Sequence, residues 1–127
     1  MKKPDGIVGH SIRHALVGSR VTCNPAPQNT DQDVLVLVAD HASFRQHILT
    51  QGYTIDGSMV MDVAMPLDVA DRFTSYSKDE INLIVTEDKK FYRRFLAASS
   101  VAKRLNLLDK SDRIALFQAV LYGNLTI

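Results

Sequence analysis

The stretch Asp31-Gln32-Asp33-Val34-Leu35-Val36-Leu37-Val38 decides how this chain folds. Its second half is an unbroken apolar run, as in a central strand covered on both faces. Its first half sets two carboxylates two positions apart, so Asp31 and Asp33 project to one face of the strand. The polar Gln32 between them predicts that this end of the strand is less buried on its far face.

The segments before it are less regular. Residues 6–16 have the spacing of a short helix, with Val8, Ile12, Ala15 and Leu16 on one face and His10 and His14 on the other. Leu16-Val17-Gly18-Ser19-Arg20-Val21 reads as a strand beside a tight turn, and the prolines and asparagines of residues 23–30 make a loop.

Beyond Val38, Asp40 is placed to cap a helix over residues 41–51, with Phe44, Ile48 and Leu49 inward and Gly52 as its stop. Met59–Met65, closed by Pro66, and Ile81–Thr86 read as strands, with residues 66–80 irregular or briefly helical. Asp88 precedes the longest helix, residues 89–106, whose seam is Phe91, Phe95, Ala98, Ala102 and Leu105. A last helix spans residues 111–122 and ends at Gly123. The order α-β-β-α-β-β-α-α predicts an α+β fold: a small mixed sheet with helices packed on it, in one domain over residues 1–127.

Bulk properties agree. The 127 residues are 46% hydrophobic and 23% charged, enough for one core without staples. A single cysteine, Cys23, excludes an internal disulfide and points to a reducing cytoplasm. No secretory leader or membrane-length apolar run is visible. Net charge is +1, but residues 89–113 hold eight basic and two acidic residues, a local +6 that leaves −5 elsewhere. Lys89, Lys90, Arg93, Arg94, Lys103 and Arg104 all lie off the apolar seam. They read as a solvated helix face or as a surface for RNA or a host protein, with Tyr92 either stacking on a base or packed inward.

The chemistry concentrates around Asp31 and Asp33. Two adjacent carboxylates repel unless a cation lies between them, and magnesium takes oxygen ligands shared with substrate phosphates. Gly18 lets the backbone approach a phosphate closely, Ser19 adds a hydroxyl donor, and Arg20 adds a positive charge. His10 and His14 have a metal-binding spacing but no accompanying acid or cysteine. His41 and His47 read as solvated helix residues, and Cys23 lacks a partner for nucleophilic work.

The combination of Val17-Gly18-Ser19, an intervening loop, Asp31-Gln32-Asp33 and an apolar run resembles the signature of the polymerase-beta nucleotidyltransferase superfamily in its minimal form. The resemblance covers residues 7–40, and it departs from the family at Gln32, where an apolar residue is usual. Residues 73–124 are similar to small phage-encoded proteins described as nucleotidyltransferases, implying a bacteriophage origin and the host cytoplasm. The resemblance implies that Asp31 and Asp33 hold magnesium while Gly18 and Ser19 hold a nucleoside triphosphate such as ATP. It also implies transfer of a nucleoside monophosphate to a hydroxyl. Such enzymes use a third carboxylate on a later strand. Asp62 is one candidate, and Asp79 or Glu80 another. In Ile81-Asn82-Leu83-Ile84 the expected acid position holds Asn82, whose amide cannot accept a proton. If Ile81–Thr86 neighbours the aspartate strand, as its apolar character favours, the site lacks a base and the domain is a binding module for nucleotide, nucleic acid or a host protein.

Overall fold

The computed structural model describes residues 11–18, 23–24, 32–57, 59–60, 63–64 and 72–122. Its centre is the strand expected from the apolar run, β2 (Gln32–Leu37), which lies beside β7 (Ile81–Thr86). These two pair in parallel, with Asp33 opposite Asn82 and Leu35 opposite Ile84. Both have the same burial pattern, closed from their third residue onward. That is the pattern of strands with side chains packed on both faces.

The sheet is completed by three antiparallel strands: β1 (Arg13–Val17) on β2, and β6 (Thr74–Lys78) then β3 (Thr54–Gly57) on the β7 side. The order is β1-β2-β7-β6-β3. Helix α1 (His41–Thr50) follows β2 and covers one face, burying Phe44 and Ile48 against Val34, Val36, Leu83 and Val85. Helices α2 (Lys89–Leu105) and α3 (Lys110–Tyr122) cover the other, where Phe91, Phe95 and Phe117 pack on Leu35, Leu37 and Ile84. The fold is α+β with a mixed sheet, as expected.

Helix boundaries follow local chemistry. The Asp40 carboxylate accepts from Ser43 N, and the Asp88 carboxylate accepts from Lys90 N and Phe91 N, so each helix start has its donors satisfied. Gly52, at φ +96°, ends α1 in the left-handed region, and Asn106 does the same for α2. Leu49 and Leu105 were placed in apolar seams but are 42% and 62% exposed. Each points away from the core beside a buried neighbour of its helix, Ile48 and Ala102.

Three expected elements are corrected. The helix over residues 6–16 is contradicted where it can be seen: residues 13–17 form β1, and Ile12 and Leu16 are exposed. Short apolar patterns fit either period, and the ladder to β2 decides for the strand. The segment 66–80 contains β6, whose sequence Thr-Ser-Tyr-Ser-Lys conceals a strand because Tyr76 alone carries its apolar face. Lys78 pairs with Ile81, so Asp79 and Glu80 form the intervening hairpin turn, with Asp79 at φ 52°. The strand expected over residues 59–65 is instead two short pieces, β4 (Met59–Val60) and β5 (Val63–Ala64). They pair with each other and form their own small sheet.

Candidate functional site

The sheet register assembles one polar row near the starts of the parallel strands. Val17 pairs with Asp33, Asp33 with Asn82, Asn82 with Ser77, and Ser77 with Thr54. The next row inward holds Leu35 and Ile84, which belong to the core under α2 and α3. Side chains alternate along a strand, so Asp33 and Asn82 share that face and stand at its end.

Gly18 closes the row on the β1 side. It has φ +84°, and a Cβ built on it would stand 2.1 Å from Asp33 Oδ2. Only glycine brings the backbone this close to the carboxylate. The half-buried Asp33 thus has the end of β1 against one side and Asn82 on the other. Asn82 Oδ1 is buried and finds no hydrogen-bond partner among the described residues. Farther along, Ser77 Oγ donates to Asp56 Oδ1 at 3.1 Å.

Of the residues singled out in the sequence, Gly18 and Asp33 are therefore brought together. Asp31, Ser19, Arg20 and Asp62 lie outside the described residues, as do His10 and residues 25–30 of the loop. The strand containing Asp62 was one possible neighbour of β2, but β7 holds that place. Glu80 sits in the β6–β7 turn and gives its backbone carbonyl to Gln32 N. Asp79 in the same turn bears on the other face of the sheet: its charge, after desolvation, helps push the Tyr53 hydroxyl pKa up, and Tyr53 belongs to the α1-side core.

Gln32 contradicts its expectation. It is only 4% exposed, because its ladder neighbour Ile81 belongs to the core under α1, and its Oε1 has no partner among the described residues. Asn82 and Gln32 thus put two buried amide oxygens near the aspartate, on opposite faces of the sheet. All these donors are oxygen, the kind magnesium prefers. Among the described residues, no group of three or more His, Cys, Asp or Glu side chains could hold a metal.

His41 is also corrected. It is half-buried, and its Nε2 lies 2.8 Å from the hydroxyl of the fully buried Tyr76. That hydroxyl also accepts from Arg45 Nε at 2.8 Å. Desolvation, then the Arg45 charge, lowers the His41 pKa, and Glu87 opposes them. Cys23 is buried beneath the α2–α3 corner, where Arg113 Nη1 donates to its sulfur at 3.2 Å. Tyr92 is buried in the core, so it is not a base-stacking side chain. Lys89, Lys90, Arg93, Lys103 and Arg104 are exposed, while Arg94 turns inward to donate to Leu121 O.

No model of a protein family matches this chain, and no curated protein matches it. No helix among the described residues is long and apolar enough to cross a membrane.

Proposed function

We propose that this protein binds a nucleoside triphosphate with magnesium at the end of β1 and the start of β2. In this reading Asp33 and Asp31 hold the metal, and the Gly18-Ser19 turn, with Arg20, meets the phosphates. The observation that carries it is the Asp33 carboxylate seated against Gly18, where only a backbone without a side chain fits. Bound magnesium would offset phosphate charge. The chain's own part is to aim carboxylates and backbone N–H groups at one point.

Transfer to a hydroxyl acceptor also needs a group that takes the hydroxyl proton. The side chain beside Asp33 on the neighbouring strand is Asn82, which cannot do so. The function supported best is therefore a nucleotidyltransferase-type domain, of phage kind and working in the cytoplasm, that binds nucleotide without efficient turnover. The exposed cations of α2 suit RNA as a further partner.

Thermal melting with ATP and magnesium tests this. A ligand held only by the folded state at a hundredfold excess over its dissociation constant adds about 2.7 kcal/mol of stability. Melting should rise with ATP and magnesium together, and Asp33→Ala should abolish the rise while the protein remains folded. Equal shifts in both proteins would refute the site. Asn82→Asp, which supplies the absent carboxylate, should bring out nucleotide transfer that the parent protein lacks.

A further inference from the structure

The opposite end of the sheet carries a second site. β2 and β7 are parallel neighbours, yet the helices that follow them go to opposite faces: α1 packs on Val34 and Val36, α2 on Leu35 and Leu37. Where adjacent parallel strands send their connections to opposite sides, the chains part and leave a crevice beyond the carboxyl ends of the strands. A cavity of about 370 Å³ opens there, lined among the described residues by His41, Arg72, Phe73, Thr74, Glu87 and Asp88. That volume lies in the range of small-molecule pockets.

Two helix starts meet at this crevice, and such places ordinarily attract anions. Here four of the donors are already taken. Glu87 Oε2 accepts from His41 N at 2.6 Å, Asp40 from Ser43 N, and Asp88 from Lys90 N and Phe91 N. The lining side chains then carry two carboxylates, Glu87 and Asp88, against one guanidinium. Arg72 Nε stands 3.8 Å from Asp88 Oδ2, a long contact between partly exposed groups. His41 adds little positive charge, because desolvation and then the Arg45 guanidinium lower its pKa. With these four donors engaged and no net positive charge on the lining side chains, the crevice favours an anion little. A cation would find Glu87 exposed, with no ion pair to it among the described residues, and an apolar floor at Phe73.

We infer that this crevice binds a small organic cation, one carrying an ammonium or guanidinium group on a short carbon chain. Glu87 is its main charged contact, Asp88 lies beside it, and Arg72 holds the affinity down. The site is separate from the nucleotide site, because it stands at the other end of β2 and β7.

Agmatine, which carries both cationic groups, is the probe, with inorganic phosphate as its opposite. Millimolar agmatine should move the amide resonances of His41, Glu87 and Asp88, and phosphate should not. Glu87→Gln keeps an oxygen for His41 N but removes the charge, and should weaken agmatine about fivefold, the equivalent of roughly 1 kcal/mol for unit charges near 4 Å in water. Arg72→Met keeps the backbone carbonyl that Thr86 Oγ1 donates to, and should strengthen agmatine by a similar factor. A purely structural role for these residues cannot give opposite signs. The inference fails if agmatine leaves the three amides unmoved, if its affinity ignores both substitutions, or if phosphate binds instead and Arg72→Met weakens it. The ATP–magnesium melting shift of Glu87→Gln should equal that of the parent protein.

Discussion

Replacing Gly18 with alanine tests the geometry on which the nucleotide site rests. Two costs add. At φ +84° an L side chain meets its own carbonyl, worth about 1–2 kcal/mol. The new methyl would also stand 2.1 Å from Asp33 Oδ2 and 2.9 Å from Asp33 Cγ, so the carboxylate must leave its rotamer, for a further cost of about 0.5–1.5 kcal/mol. Gly18→Ala should thus lose about 1.5–3.5 kcal/mol in urea unfolding. Gly57 supplies the control, with φ +85° and nothing within 4 Å of the added carbon, so Gly57→Ala bears the backbone cost alone. In an Asp33→Ala background the Gly18→Ala loss should shrink toward the Gly57→Ala value, a coupling of about 1 kcal/mol for groups in contact. Equal losses for Gly18→Ala and Gly57→Ala in the otherwise unchanged protein would refute the close approach of glycine and carboxylate.

Three further outcomes follow from the structure. His41 binds its proton less readily folded than unfolded, so the unfolded chain gains protons first as pH falls. Stability should therefore decline below the ordinary imidazole value of about 6.5 and level off beneath the lowered folded value, and His41→Gln should flatten that stretch of a urea-against-pH series. Asp88→Ala removes the acceptor for Lys90 N and Phe91 N and should cost about 1–2 kcal/mol, with Asp88→Asn recovering most of it in the same assay. If the exposed cations of α2 bind single-stranded RNA, each phosphate contact contributes roughly −0.7 to the log–log salt slope, so Lys90→Glu with Arg93→Glu should flatten it by about 1.4. RNA binding undetectable at low salt would leave that face merely solvated.

The sequence alone was enough for the parts whose cause is local or strongly periodic. Val34–Val38 and Ile81–Thr86 read as buried strands because nothing but a two-sided core tolerates such runs. Asp40 and Asp88 announced helix starts because a short carboxylate satisfies orphan N–H groups wherever it stands. The α+β class followed from these elements. So did the prominence of Gly18 and Asp33, because glycine followed by paired acids is a local pattern.

Tertiary structure decided everything that depends on partners far away in the chain. Arg13–Val17 is a strand because β2 offers it a ladder, not because its own pattern demands one. Thr74–Lys78 enters the sheet through one buried tyrosine, with its serines satisfied by Gly57 O and Asp56. The choice among acids for the place beside Asp33 was a matter of register, and pairing in parallel with β7 put Asn82 there. A hydrogen-bond ladder joins residues 49 positions apart, and no window of sequence contains both. The crevice of His41, Arg72 and Glu87 was hidden for the same reason. It exists only because two neighbouring strands send their helices to opposite faces of one sheet.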